Sequence, residues 1–301
     1  MLQGMFRALY LTLLLLAPAP FAAAQNLLPG FTGFGITAPP DPPPPGGSRH
    51  YGATAANTPW VVVQWNIPGG ALSPFTRAAD GSFTSQAAEA SVHVQPGASV
   101  RMAQNGAVLP CDDAKGQPRE SDLFIQPAHA QLQTLLPLAS LASLHQIVDV
   151  SAAGALLPGH ACRVNQGSAL IAIILVDHAV QPAQSFFYQL TLSQLCRAGP
   201  GAAPCVLVQQ HGFYYFRNNP YGMDDYLPLA GHGFINSSTS VHLDIDLLPR
   251  LKSAIAGAPA SMDKDLSHWV LASVYCGQHI WGKVTLQTSW SGYQLIATPQ
   301  P

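Results

Sequence analysis

Two stretches of the chain combine flat rings with groups that accept or donate hydrogen bonds. The first is FYYFRNNPYGMDDY, Phe213 to Tyr226, in which four rings give way to Arg217-Asn218-Asn219-Pro220 and then to Tyr221, Asp224, Asp225 and Tyr226. The second is GQHIWG, Gly277 to Gly282, with Gln278, His279 and Trp281. A sugar ring stacks its C–H face on an aromatic plane while its hydroxyls pair with carboxylates and amides in a wet, shallow site. Tyr221, Asp224, Asp225, Tyr226 and Trp281 are therefore candidate ligand-binding residues, and a polysaccharide or surface glycan is the partner this chemistry fits. The same residue types also build ordinary turns, where aspartates bond their own backbone.

Catalytic signatures are fewer. The chain lacks G-x-S-x-G, H-E-x-x-H and C-x-x-C, so no nucleophile elbow or familiar zinc motif is present. Glycoside cleavage needs two carboxyls flanking a bond. The two glutamates, Glu89 and Glu120, both fall in loop-like sequence, which leaves the aspartates. In VHLDID, Asp244 and Asp246 share a face if the strand extends that far, an arrangement suited to a carboxylate pair or to a structural calcium ion. Otherwise Asp244 is a loop acid and Asp246 a helix cap. His232 and His242 are single histidines that the fold has to bring together before they can act as ligands.

Three functional readings follow. The first is an exported, non-catalytic carbohydrate-binding protein. The second is a polysaccharide-cleaving enzyme, a glycoside hydrolase or lyase, using Asp225 or Asp244. The third is an envelope or adhesion subunit. Only 9% of the residues are charged and the net charge is -2, with lysines and arginines scattered singly, so there is no basic stripe to neutralise phosphates and nucleic acid is not an expected partner.

Residues 1–24 have the build of a secretory signal: Arg7, an apolar run from Leu9 to Ala17, and Ala22-Ala23-Ala24 before Gln25. The mature chain carries no apolar run long enough to span a bilayer, and a secreted or periplasmic location is expected. Export permits disulfides. Cys196 and Cys205 enclose the turn-rich RAGPGAAP, where a bridge closes a hairpin and contributes about 2.5 kcal/mol. Cys111, Cys162 and Cys276 leave three pairings open. The odd thiol reads most simply as a buried small hydrophobe.

The elements that must position these groups are mostly strands. Residues 25–50 carry PPDPPPPGG and read as a proline-rich spacer, followed by a single domain over 51–301. WVVVQW (Trp60 to Trp65), SVHVQ (Ser91 to Gln95), ALIAIILV (Ala169 to Val176), SFFYQLTLSQL (Ser185 to Leu195) and HWVLASVYC (His268 to Cys276) are alternating or fully apolar strand patterns. Asn105-Gly106 is expected to turn a tight hairpin. The segments 169–176, 185–195 and 206–216 are expected to be successive antiparallel neighbours, with the residues after Phe216 forming a loop. GQHIWG is expected at a hairpin tip. Leu138, Leu141 and Leu144 predict one helix; Leu248, Leu251 and Ile255, with Pro249 in the first turn, predict another capped by Asp246. The expected fold is all-β, a β-sandwich or jelly roll of antiparallel sheets with one or two short helices.

Overall fold

Alternation of apolar and polar residues over most of the chain leaves little choice but pleated sheets whose inner faces meet. A computed structural model describes residues 23–31, 34–36, 60–112, 116, 119–127, 136–158, 162–177, 179–180, 183–198, 213–216, 220–227 and 238–301. The elements are, in chain order, β1 (Gln25–Asn26), β2 (Phe34–Ile36), β3 (Trp60–Trp65), β4 (Thr76–Arg77), β5 (Phe83–Gln86), β6 (Ala90–Gln95), β7 (Ser99–Asn105), β8 (Glu120–Pro127), β9 (Leu141–Leu156), β10 (Val164–Asp177) and β11 (Gln184–Ala198). They continue with β12 (Phe213–Phe216), β13 (Pro220–Tyr226), β14 (Ser238–Asp246), α1 (Leu248–Gly257), β15 (Trp269–Trp281) and β16 (Val284–Pro299).

The strands form two sheets. One has the order β14-β9-β16-β7-β6-β5-β4, with β1 added against β16; the other runs β12-β13-β11-β10-β15-β8-β3-β2. They are called here the β16 sheet and the β15 sheet. The pairings are antiparallel except β11 with β13 and β2 with β3. Inward residues of both sheets form one apolar core, with Val92, Met102, Val148 and Trp290 from one side and Leu123, Ile125, Ile171, Phe186 and Trp269 from the other. This is the β-sandwich expected of the sequence, with α1 as its helix.

The chain passes from one sheet to the other at Gly282-Lys283, so β15 and β16 do not form a hairpin. Gly282 has φ +66° and a Cβ there would lie 2.3 Å from the Val164 carbonyl oxygen, which only glycine avoids. The corner is closed from the other side: Asn165 Oδ1 accepts from the Lys283 amide at 2.9 Å, and Lys283 Nζ donates to the carbonyls of Ala107 and Leu109. GQHI therefore belongs to the body of β15, and the expected hairpin tip is a strand.

Other expectations are corrected in the same way. Leu138 to Ser140 make one 3-10 turn and the predicted helix then gives way to β9. The leucine spacing is satisfied without a helix because Leu144, Gln146, Val148, Val150 and Ala152 alternate inward, a period of two that packs on the opposite sheet. Asn105-Gly106 does not turn a hairpin. Asn105 Oδ1 caps a 3-10 turn by accepting from Ala107 N, and β7 pairs with β6 and β16. β10 and β11 are antiparallel neighbours as expected, but β13 inserts between β11 and β12, so Phe213–Phe216 is not the third strand beside them. The second helix forms, with Leu247 rather than the expected Asp246 at its N-cap position. Asp246 assists it from the end of β14, accepting from the Leu248 amide at 3.0 Å and from Leu144 N at 2.9 Å.

The fold also takes in part of the expected spacer. β1 pairs with β16, and Leu27, Leu28 and Phe31 are buried. Phe31 meets Trp60 edge-on at 5.0 Å, and Trp60 Nε1 donates to the carbonyls of Pro29 and Gly30. The proline run, like the signal segment through residue 22, lies outside the described residues. So does Cys205, and with it the expected Cys196–Cys205 bridge.

Cys111 and Cys162 form a disulfide, with Cα atoms 5.1 Å apart, and Cys276 is the buried free thiol among the described residues. Burial pushes that thiol's pKa well up. The bridge closes a separation of 51 residues, which corresponds to about 4 kcal/mol of lost unfolded-state freedom. Replacing Cys111 and Cys162 together by serine should lower the unfolding free energy by about 3–4 kcal/mol in denaturant titrations. In the same experiment Cys276 should resist alkylation until the protein unfolds.

Candidate functional site

Strand alternation makes β8 and β15 two-faced. On β8, Ser121, Leu123 and Ile125 point to the core, which leaves Glu120, Asp122 and Phe124 on the opposite face. On β15, Val274, Cys276, Gln278 and Ile280 point inward and Tyr275, His279 and Trp281 outward. The register sets Glu120 opposite Trp281 and Asp122 opposite His279. Trp65 stands beside Asp122 on β3, and Gln166 and Ser168 stand beside Trp281 and His279 on β10.

Side-chain geometry gathers these residues further. One oxygen from each of Glu120 and Asp122 and one nitrogen of His279 all lie within 4.8 Å of one another. Glu120 Oε1 is 3.5 Å from His279 Nδ1. The imidazole is only 5% exposed against 25% for Glu120, so the carboxylate reaches the surface and the ring lies beneath it. His279 Nε2 is buried with no hydrogen-bond partner among the described residues. Trp281 meets the His279 ring edge-to-face at 4.1 Å. Further along the same face lies an apolar strip of Phe124, Leu170, Ala172 and Tyr275, with Phe187 against it. Phe124 and Phe187 flank Tyr275 at 4.9 and 5.4 Å. Between strip and acids sits Gly277, where a Cβ would come within 2.8 Å of the Phe124 ring and 2.3 Å of the Leu123 carbonyl oxygen. The missing side chain lets the Phe124 ring lie close against β15.

The inner side of the same strand segments is held by a buried amide network. Gln278 Nε2 donates to Gln104 Oε1 at 3.0 Å and to the Leu286 carbonyl at 3.1 Å. Thr288 donates to Gln278 Oε1 at 2.8 Å, Trp290 Nε1 donates to Thr288 Oγ1, and Gln104 Nε2 donates to Ser121 Oγ at 2.8 Å. These bonds join β8 and β15 to β7 and β16 across the sandwich. The network pins the backbone that presents the outer acids.

The tyrosine-rich stretch is placed differently from expectation. Pro220 to Tyr226 is strand β13 rather than a loop, paired in parallel with β11. Asp225 is turned toward the core side, 13% exposed, and its Oδ2 accepts from Arg250 Nη1 at 2.6 Å and from the hydroxyl of Tyr188. Burial, and then the carboxylate, raise the Tyr188 pKa; for Arg250 burial is the largest single influence and works against its charge, but the hydrogen bonds and charges of Asp225 and Tyr188 together raise its pKa. A parallel partner makes this segment a strand, and α1 supplies the cation that turns Asp225 inward. The side chains of Tyr221, Asp224 and Tyr226 lie outside the described residues. Their backbone positions are set: Asp224 pairs with Gln189 and Tyr226 with Thr191.

Other acids named from sequence are not brought together. Asp244 pairs with His145 at 2.9 Å and Asp246 serves backbone amides, so the i, i+2 spacing on β14 makes neither a carboxylate pair nor a calcium cage. His242 pairs with Asp149 at 2.8 Å, and His232 lies outside the described residues. Glu120, expected in a loop, begins β8. Its sequence, E-S-D-L-F-I, sets three polar residues before three apolar ones, so no alternation announces the strand and the pairing with β15 and β3 makes it one. A concavity on the outer side of the β16 sheet, away from these acids, is lined by Glu89, Ser91, Asn105, Thr285 and Gln287; among the described residues it holds one carboxylate and no aromatic ring, which leaves nothing for stacking.

No family model matches the chain, and no curated protein matches it. Solved structures that resemble it include endoglucanase 3 of Trichoderma harzianum from family GH12, at 11% identity and TM-score 0.41, covering 80% of this chain and 100% of that one. A metagenome-derived family 12 endoglucanase gives 11% identity and TM-score 0.42 over 80% of this chain and 99% of that one. The family 11 xylanase of Neocallimastix patriciarum gives 10% identity and TM-score 0.32 over 79% and 97%. With scores this low, the architecture rests on the strand pairing itself.

Two substitutions separate support from site. Gln278→Leu strands the amide of Gln104 and the hydroxyl of Thr288 and should cost about 3 kcal/mol in unfolding free energy. Asp225→Asn removes the charge partner of Arg250 and should cost about 2 kcal/mol in denaturant titration.

Proposed function

We propose that the outer face of the β15 sheet binds a neutral polysaccharide. The reading rests on one observation, the convergence of Glu120, Asp122 and His279 beside Trp281 on a pleated face that continues into Phe124, Tyr275 and Phe187. Trp281 supplies a plane for a sugar ring, and the two carboxylates accept hydroxyl hydrogens. A charge-poor chain with acids at the site disfavours an anionic ligand. Sheet strands are about 4.8 Å apart, so a ligand lying across them meets successive residues of one register row. The row through Gly277, Leu170 and Thr191 leads on β13 to Tyr226, and Asp224 and Tyr226 extend the proposed face at that edge. Export through the N-terminal signal fits the Cys111–Cys162 disulfide.

A cleaving enzyme is the second reading, favoured by the short separation of the two carboxyls. Both acids come from one strand, however, and so approach a ligand from the same side. A pair that flanks a glycosidic bond approaches it from opposite sides. Binding therefore ranks first.

Affinity electrophoresis in gels containing soluble cellulose derivatives, xylan or mixed-linkage glucan tests the proposal. The protein should be retarded by at least one, Trp281→Ala should weaken the affinity about tenfold or more, and Asp225→Asn should migrate as the parent does. Absence of retardation in every gel, or equal retardation of Trp281→Ala, overturns it. Release of reducing ends that is abolished by Glu120→Gln or Asp122→Asn moves the assignment to the enzyme.

A further inference from the structure

At the opposite end of β15 from His279, a second cluster of metal-ligating types stands apart from the proposed ligand face. Asp177 is the last residue of β10 and pairs with Trp269, the first of β15. Its side chain is fully buried. Oδ1 accepts from the Ala179 amide at 2.7 Å, while Oδ2 has no hydrogen-bond partner among the described residues. One ligand atom from each of Asp177, Asp263 and His268 lies within 4.8 Å of the other two. Asp263 Oδ2 is 2.6 Å from His268 Nδ1, and its Oδ1 accepts from the Asp265 amide at 2.9 Å. The far nitrogen of the imidazole, Nε2, lies 3.7 Å from Asp265 Oδ2. The ring is 39% exposed and Asp263 22%, so solvent reaches the cluster from one side and Asp177 forms its floor.

Charge makes this arrangement costly as it stands. A fully buried carboxylate with an unsatisfied oxygen, set against a second carboxylate, needs compensation. Among the described residues no lysine or arginine forms an ion pair with Asp177, Asp263 or Asp265. Lys264, between two of them in sequence, is committed elsewhere: its Nζ donates to the carbonyls of Ile255 and Ala258 at the end of α1.

We propose that Asp177, Asp263 and His268 bind a divalent first-row metal ion of the zinc class, which fastens the end of β10 to the segment that leads into β15. Two carboxylates and one imidazole match the mixed oxygen and nitrogen sets of zinc, whereas calcium takes oxygen ligands alone. With Nδ1 on the metal, the imidazole proton sits on Nε2 facing Asp265, the carboxylate–histidine–metal relay that orients many ligating histidines. Water fills the side open to solvent. The ion would tie together two segments distant in sequence, so its role is stability.

The test is thermal unfolding of the full chain after chelator treatment, with added zinc, manganese or calcium chloride, together with metal counting after dialysis. Zinc should bind at one equivalent through this cluster and raise the Tm by about 5 °C. His268→Gln, on the partly exposed ring, should weaken the zinc response at least tenfold. Asp177→Asn should do the same if it folds, and His268→Gln decides the matter if it does not. His279→Gln should keep the response, which excludes the Glu120 cluster as its source. No saturable effect of zinc, an equal response in His268→Gln, or a calcium response as large as that to zinc overturns the proposal.

Discussion

A buried pair of glutamine amides governs where everything else in this sandwich can sit. Gln104 and Gln278 lie between two apolar sheets, where an unpaired amide costs a few kcal/mol. Their bonds to Ser121, Thr288 and the Leu286 carbonyl satisfy them only in one register. A slip of β15 by one residue would send Gln278 outward and His279 into the core. The network and the outer face are thus two sides of a single register, and the polar core residues specify the face they do not belong to.

The few acids in the chain show what such specification accomplishes. Asp246 serves backbone amides where β14 meets α1, Asp225 holds Arg250 and Tyr188, and Asp149 and Asp244 each pair with a histidine across β9 and β14. These carboxylates have local structural partners. Glu120 and Asp122 differ in sharing a face with a tryptophan, a buried histidine and an aromatic strip, and this difference, rather than any motif, carries the proposed site. Asp177 and Asp263 differ again, crowded at the far end of the same strand. β15 therefore runs between two carboxylate–histidine clusters, one beside the aromatic strip of the outer face and one where the end of β10 meets the segment leading into β15.

Much of the architecture was legible from alternation. The patterns of β3, β6, β10, β11 and β15 read as strands, and Phe186, Tyr188, Leu190 and Leu192 face the core while Phe187, Gln189 and Thr191 face away. The segments that depart from expectation have a common cause. Leu138, Leu141 and Leu144 fit a helical stripe as well as a turn leading into a strand, because three leucines three apart cannot separate the two periods when packing on the other sheet decides between them. Pro220 to Tyr226 looked like a loop because prolines and glycines break regular structure, yet a parallel neighbour gives that segment backbone partners. Gly277 looked like the start of a turn, whereas it marks a close approach between β15 and Phe124.

The residue types alone determined that this chain makes pleated sheets with a large apolar core, little charge and a helix after Asp246, because the period of a side-chain pattern is a local property of the backbone. Which acid meets which ring was a tertiary decision. Strand order places Glu120 beside a histidine and tryptophan some 160 residues away, and it turns Asp225 toward Arg250 while its sequence neighbour Asp224 takes the alternate position on the strand. Pairing between distant strands depends on which register satisfies every buried amide and fills the core at once, and no local window of sequence contains that sum.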